Sequence, residues 1–429
     1  MDSNSVSWKV MRIPYRSGRR QRRRFLLLPL LMLNATGWVA AQKAATAPGV
    51  DPSRAARIAP RMKTFADQGQ VAGTVTLFAR QGQIVHFEAA GYQDAESRKP
   101  MARDTIFQIM SMTKPMVATA IMMLAEEGKV GLTDPVEKYL PEFRGQMVIA
   151  ERLPDGSRRV KKPARPISVR DLMTHTSGMI SNPPPGLDGL YQRMDKSLAD
   201  AVLVYSQTPL EFEPGTEWRY SNPGIATLGR IVEVAADQPF EKFMTDRLWT
   251  PLGMKDTFLF PPDEKKPRIA AVHAMKDGKL AHADGTILGG DALAYRPGAK
   301  YPAPEFGAYS TATDLLAFYE MTRNHGVHQG KRLLSKAAVE TMTALHTGDL
   351  KSGHMNGAGF GLAWEVVKEN SGTLNFLSIG SYGHGGAFGT HGWVDRARAA
   401  VGVYLVQGGA GATDAKYAFM RMANAALID

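Results

Sequence analysis

Ser111-Met112-Thr113-Lys114 places a hydroxyl and an amine three residues apart, at the head of the apolar run Pro115 to Ala125. A serine hydroxyl is a weak nucleophile until a base takes its proton, and a lysine can do so only when neutral. Residues three apart on a helix share a face, so the pair points to acyl transfer through an activated serine. The run Met116 to Ala125 is rich in helix formers and apolar nearly all round, as in a helix buried inside a sizeable domain. Gly128 stops it, and Pro115, tolerated only in a first turn, sets the helix start close to Ser111. The serine then lies at a helix N-terminus, where free N–H groups and the macrodipole favour developing negative charge. Burial beside such a helix lowers a lysine pKa from its ordinary value of about 10.4. Two fixed residues in four recur by chance, so the rest of the chain must supply the partners.

Two further stretches qualify. Glu213-Pro214-Gly215 opens a turn that leads through Trp218-Arg219 into Tyr220-Ser221-Asn222, just ahead of the helical pattern Ile225 to Ala235. Held there, a phenol and an amide can be aimed into a cleft, and a neighbouring ammonium would bring Tyr220 below its usual pKa of about 10 and make it a base. The plainer reading is a packed tyrosine with Asn222 as a helix cap. Tyr382-Gly383-His384-Gly385-Gly386-Ala387-Phe388-Gly389 falls between expected strands. Glycines there allow a ligand close to the backbone, and an N–H on that edge would complete an oxyanion hole with the N–H of Ser111. Its plainer reading is a glycine-rich turn with an incidental histidine.

Taken together, Ser111-x-x-Lys114, Tyr220-x-Asn222 and His384-Gly385-Gly386 resemble, in order and rough spacing, the three motifs of the serine β-lactamase and penicillin-binding-protein superfamily. The nearest group in pattern is the class C β-lactamases with the DD-peptidases, D-aminopeptidases and esterases that share their fold. Ile167 to Gly178, Pro251-Leu252-Gly253-Met254 and Tyr309 to Leu315 add to the resemblance, which spans about residues 55 to 425. It implies Ser111 as the nucleophile that forms an acyl-enzyme, with Lys114 and Tyr220 as a coupled base. It also implies Asn222 as a residue positioning Lys114 and substrate amides, His384 and Gly386 in the third motif, and the Ala387 N–H as second oxyanion donor. That third motif departs from the Lys-Thr-Gly of class C enzymes. A histidine near pKa 6.5 is mostly neutral at pH 7, and Gly385 lacks the hydroxyl that would hold a substrate carboxylate. The expectation is weak β-lactam hydrolysis and a preference for small esters or uncharged amides. A D-amino-acid peptidase, a true β-lactamase and a non-catalytic binding protein are the alternatives.

A Ser-His-Asp triad is the obvious rival, with His175, His391 and Asp314 as candidates. No G-x-S-x-G occurs, so the nucleophile-elbow signature is missing. His175 reads as structural, and Asp314 as part of a helix start after Ser310 and Thr311. There is no H-E-x-x-H, phosphate loop or dinucleotide fingerprint, so neither a metal nor another cofactor is expected.

The elements that must position these residues follow from the chain at large. Residues 1–41 read as an export leader: eight basic residues against Asp2 alone, then apolar Phe25 to Ala40, then Val39-Ala40-Ala41 ahead of a cut before Gln42. Arg22-Arg23-Arg24-Phe25-Leu26 resembles a twin-arginine signal, with Gln21 in place of the usual Ser or Thr. The alternative is an uncleaved membrane anchor, although the apolar stretch contains Pro29 and Asn34 and falls short of the roughly 20 residues a span needs. The expected location is periplasmic or extracellular. The leader carries most of the formal charge of +11, and the mild basicity that remains argues against a nucleic-acid partner. With no cysteine in the chain, disulfides and thiolate chemistry are excluded, and stability must come from the large core such a length allows.

Residues 42–54 read as an Ala-rich tether, disordered to about Val50, and 55–425 as the hydrolase domain. Ile58 to Ala66 is expected as a helix, and Thr74–Ala79 with Ile84–Ala90 as a hairpin about Gln81-Gly82-Gln83. A surface hairpin is expected around Pro154-Asp155-Gly156, its basic flank Arg158 to Lys162 a solvated face. Gly359–Val367, Thr373–Ile379 and Ala399–Val406 read as strands, and Tyr417–Leu427 as a closing helix. Strands at both chain ends with helices between them predict a mixed α/β fold: an antiparallel sheet from both termini (about 55–105 and 355–429), flanked by helices, with an inserted helical part (about 106–354). The site then falls in the cleft between the two.

Overall fold

The computed structural model describes residues 47–283, 298–369, 375–408 and 412–428, all within one compact unit, Ala44–Asp429. The leader and residues 42–46 lie outside the described residues. Among those described, no helix is long and apolar enough to cross a membrane.

The frame is an eight-stranded sheet that uses both ends of the chain. From edge to edge it runs Ala358–Phe360, Glu365–Val367, Tyr382–Gly385, His391–Asp395, Ala400–Val406, Gly73–Arg80, Gln83–Asp94 and Lys99–Pro100, with every neighbouring pair antiparallel. Leu77 faces Val403 on one side and Phe87 on the other, so the first strand joins the two chain ends. Its hairpin turns on Gln81 and Gly82, both left-handed (φ 50° and 79°), the twist that two-residue hairpins favour. Every residue of Gly73–Arg80 is buried, because both faces of the sheet are covered. Alternation sends Val75, Leu77 and Ala79 into one core with the helix Lys114–Glu126, and Phe78 into a second with Met62, Phe65 and Phe419 of the terminal helices. The expected architecture is therefore present: helices pack on both faces of an antiparallel sheet, and the elements between residues 106 and 354 are mainly helical.

Local differences have physical causes. Residues 47–54 are packed rather than loose: Ala47 is buried, Val50 bridges to Leu427, and Asp51 caps the short helix Pro52–Ala55. Small apolar side chains there close against the last helix, which begins at Ala412. The expected strand Gly359–Val367 is a hairpin, broken where Gly361 N–H bonds the Trp364 carbonyl and Ala363 is left-handed (φ 58°). Of Thr373–Ile379, residues 373–374 lie outside the described residues, and 375–379 form a loop anchored by the Asp395 carboxylate on Ser378 N–H. Tyr382–Gly385 and His391–Asp395, not expected as strands, are the interior of the sheet. Their glycines hide the pattern: Gly383 lies against the Gly392 carbonyl and Gly392 against the Tyr319 ring, leaving no room for a side chain. Three short hairpins also appear in the helical part, among them the expected Val148–Arg152 with exposed Arg158–Lys161.

Candidate active site

Ser111 sits in a tight 3₁₀ turn, Met110–Thr113, that runs into the α-helix Lys114–Glu126 with Pro115 in its first turn. The helix starts where proline and the apolar run place it, and Gly128 (φ 71°) follows its end. Thr113 Oγ1 closes the turn by donating to the Met110 carbonyl at 2.7 Å. Met110 itself is left-handed (φ 52°) although it is not glycine. Such a residue costs on the order of 1–3 kcal/mol and persists only where its surroundings enforce it. Here Ile109 N–H is held by the Ala308 carbonyl and Ala308 N–H by Thr113 Oγ1, so the turn before the serine is fixed from outside.

Lys114 is fully buried. Its Nζ lies 3.0 Å from Ser111 Oγ, 2.9 Å from Asn222 Oδ1 and 2.7 Å from the Glu305 carbonyl. Asn222 Oδ1 and the carbonyl can only accept. A neutral Lys114 therefore spends its two N–H bonds on them and turns its lone pair toward Ser111, the geometry of a base. Burial pulls its pKa down to about 7, with the Glu305 charge resisting. At pH 7 a substantial neutral fraction exists, as such a base requires.

Tyr220 is half-buried, its hydroxyl beside Ser111 and its ring 4.6 Å from Lys114 Nζ. The ammonium beside it does not make it acidic: burial pushes the phenol up, outweighing the nearby Ser111 hydroxyl. At rest, Lys114 is the better base and Tyr220 holds its proton. The loop is braced by His175. The His175 carbonyl accepts Arg219 N–H at 2.9 Å, its Nδ1 accepts Ser221 N–H at 3.2 Å, and its ring lies 4.4 Å from that of Tyr220. A lone pair at Nδ1 fixes the proton on Nε2, and burial holds this histidine neutral. The helix cap is Ser221, whose Oγ accepts Gly224 N–H, so the Asn222 side chain is free for Lys114. Trp218, His354 and His384 complete an aromatic surround of Tyr220, and Phe360 packs on Trp218.

His384 lies on the sheet strand Tyr382–Gly385, nearly inaccessible, with Nδ1 donating to the Gly385 carbonyl at 2.7 Å. Burial and the Lys114 charge hold it well below the usual imidazole range, so it is neutral and its Nε2 is a lone-pair acceptor. Gly386 begins the turn to the next strand and touches the Ser111 turn: a Cβ there would meet the Ile109 carbonyl, Thr390 Oγ1 and Met110 Cβ. Ala387 is exposed on that turn, and its N–H forms no hydrogen bond among the described residues. The candidate triad does not assemble. Asp314 accepts from Asp256 N–H and Thr257 Oγ1 at the start of the helix Ala312–Arg323, and burial holds His391 neutral. Sequence reasoning missed Glu305, which no local pattern marks, and the cluster Asp94, His273 and His282. There His282 Nε2 lies 2.8 Å from Asp94 Oδ1, while Ala95 N–H already occupies His273 Nε2, so hydrogen bonds account for the grouping.

The model of the family described as Beta-lactamase matches residues 55–427. Esterase EstB of Burkholderia gladioli is 30% identical over 380 residues, which is 82% of this chain and 92% of that protein. Protein Rv1367c of Mycobacterium tuberculosis is 29% identical over 368 residues, 81% of this chain and 88% of its own length. Among solved structures, EstCE1, a hydrolase with promiscuous acyltransferase activity, superposes with a TM-score of 0.71 at 27% identity, covering 87% of this chain and 99% of that one. With a match across nearly the whole described unit, the chain belongs to the beta-lactamase family of serine hydrolases, as its three motifs imply.

Proposed function

We propose that this hydrolase is an esterase of small, uncharged acyl substrates that works through an acyl-enzyme on Ser111. The observation that carries the reading is the neutral His384 in the third motif: with its Nε2 lone pair it offers no cation to the carboxylate that β-lactams and cell-wall peptides present. The likeness to EstB and EstCE1, proteins named for esterase and hydrolase activity, supports the same reading. In the proposed cycle Ser111 Oγ attacks the ester carbonyl as its proton passes to Lys114 Nζ. The N–H groups of Ser111 and Ala387 receive the oxyanion. Collapse breaks the bond to the alcohol, which leaves with a proton returned from the Lys114–Tyr220 pair. Water then attacks the acyl-enzyme, its proton going to the same pair; collapse breaks the Ser111 Oγ–acyl bond, the pair returns the proton to Oγ, and the acid departs.

The test compares p-nitrophenyl butyrate, nitrocefin and a D-Ala-D-Ala peptide, with intact mass recorded during turnover. Expected is ester hydrolysis at least about a hundredfold faster than nitrocefin hydrolysis, with a butyryl adduct on Ser111. Faster nitrocefin or peptide turnover would reverse the assignment. Export is proposed as well, on the arrangement of basic, apolar and small residues in 1–41. The mass of the mature protein from cells expressing the whole chain checks it, with Gln42 as the expected first residue.

A further inference from the structure

A fully buried acid lies beside the catalytic lysine. Glu305 has no accessible surface, and the segment Tyr301–Gly307 that carries it is tightly wound. Ala303 is left-handed (φ 48°), and its carbonyl accepts both Phe306 N–H (3.0 Å) and Gly307 N–H (2.6 Å). Pro304 seats against Gly229 of the helix Asn222–Ala236, where a Cβ would collide with its ring. One helix thus supplies Asn222 to Lys114 and also fixes the turn whose Glu305 carbonyl holds the same amine.

The carboxyl of Glu305 enters a group of buried phenols. Tyr301 donates to Oε1 at 2.8 Å, and the Tyr191 hydroxyl lies beside the carboxyl. Tyr205 interacts with both tyrosines. Tyr191, Tyr205 and Tyr301 are each about as inaccessible as Glu305. They come from the helix Leu190–Arg193, the helix Leu198–Ser206 and the segment's own start. Among the described residues, the charged group that acts on this carboxyl is Lys114, and the titratable groups around Lys114 are Tyr220, the neutral His175 and His384, and His354, with Glu365 acting on Tyr220 and His354. A buried carboxylate without a cation is costly, and a glutamine would fill the same space and keep the tyrosine bond. The acid itself therefore calls for a role.

We propose that Glu305 is a positioning residue for the reaction: its carboxylate is the counter-charge that stabilises Lys114 as it accepts the Ser111 proton. This rests on the acyl-enzyme reading above. In the step concerned, the Nζ lone pair takes the proton from Ser111 Oγ while Oγ bonds to the acyl carbon. Glu305 keeps its charge, so an ammonium forms opposite a carboxylate already in place. The electrostatics agree. Burial raises Glu305 to about 7 against a backbone N–H, the Tyr301 bond and Lys114, and burial lowers Lys114 to about 7 against Glu305. Each group therefore sets the charge of the other near neutral pH.

The sign of the effect follows. Removing the negative charge makes Lys114 easier to deprotonate, so the acid limb of Ser111 reactivity moves to lower pH. A weaker base also transfers the proton less well, so the plateau falls. The experiment measures the rate of Ser111 labelling by a fluorophosphonate against pH, by intact mass, in the full chain, Glu305→Gln and Tyr301→Phe. Expected for Glu305→Gln is an acid limb lower by roughly one pH unit with a plateau several-fold lower. Tyr301→Phe, which leaves the acid less readily ionised, should move the limb the same way by less. An acid limb coinciding with that of the wild type in both variants overturns the proposal. A wild type that takes no label at any pH overturns the acyl-enzyme reading itself, an outcome distinct from the first. Infrared titration of the folded wild type holds if Glu305→Gln does not fold. A carboxylic-acid C=O band lost as pH rises through about 7, and shifted by Tyr301→Phe, supports the assignment, and its absence above the ordinary carboxylate range refutes it.

Discussion

Lys114→Met should cut ester turnover at least about a thousandfold while leaving a folded protein. Methionine fits the space of a lysine stem and removes a buried amine, so the main structural cost is the loss of donors to Asn222 Oδ1 and the Glu305 carbonyl, about 1–3 kcal/mol. The chemical cost is larger, because Ser111 Oγ loses the lone pair 3.0 Å away that takes its proton. Lys114→Arg sharpens the test. A guanidinium preserves positive charge but does not deprotonate in a protein, so the arginine variant should be as inactive as the methionine one if Lys114 is a base, and partly active if only its charge matters. The wild-type pH profile carries the same information. With a Lys114 pKa of about 7, activity should rise with pH, from roughly one tenth of its plateau at pH 6 to half near pH 7. That limb should vanish from the residual activity of Lys114→Met. A methionine variant retaining a tenth of wild-type turnover would remove Lys114 from the chemistry.

Why this pair was legible in the sequence, while its partners were not, is a matter of range. Ser111 and Lys114 lie within one turn, and Pro115, the apolar run and Gly128 mark start, burial and end of the same helix. Tyr220, Asn222 and His384 had local readings no stronger than a packed phenol, a cap and a turn, and only their joint order gave them roles. Glu305 lies 191 residues from the lysine it holds, in a stretch whose winding depends on a left-handed alanine and on a glycine from another helix. His175 is structural, and its particular task of bracing Tyr220 from the residues on either side arises from backbone contacts no periodicity encodes. The left-handed Met110 leaves no sequence signal at all, since strain is imposed by neighbours. The sheet was legible from its apolar strands. It was obscured at Gly383 and Gly392, where glycine replaces a side chain against the neighbouring strand and the Tyr319 ring.

Gly386 offers a test of how closely the sheet must approach the nucleophile, and Gly386→Val should lower turnover at least about a hundredfold. The need for glycine here is space rather than a left-handed backbone. A Cβ at 386 would collide with the Ile109 carbonyl and Thr390 Oγ1 and press on Met110 Cβ at 3.1 Å. Those groups form the junction between sheet and nucleophile turn: Thr390 Oγ1 donates to the Ile109 carbonyl at 3.1 Å, Gly386 N–H to the Thr390 carbonyl at 2.8 Å, and Gly389 N–H to the Gly386 carbonyl at 2.9 Å. A valine must therefore push the strand end, and with it Ala387 N–H, away from Ser111. Misplacement of a reacting geometry by about 1 Å is enough for a hundredfold loss. Gly385→Ala is the matched control one residue away. Its Cβ would meet His391 Nδ1 at 3.3 Å and the Thr390 carbonyl at 3.6 Å, contacts that yield by a few tenths of an ångström, so turnover should stay within about tenfold of wild type. The loss in Gly386→Val should appear in kcat, because an oxyanion contact acts on the transition state rather than on ester binding. Equal losses at 385 and 386, or a loss at 386 confined to KM, would mean that the turn after His384 shapes the pocket without supplying the oxyanion donor.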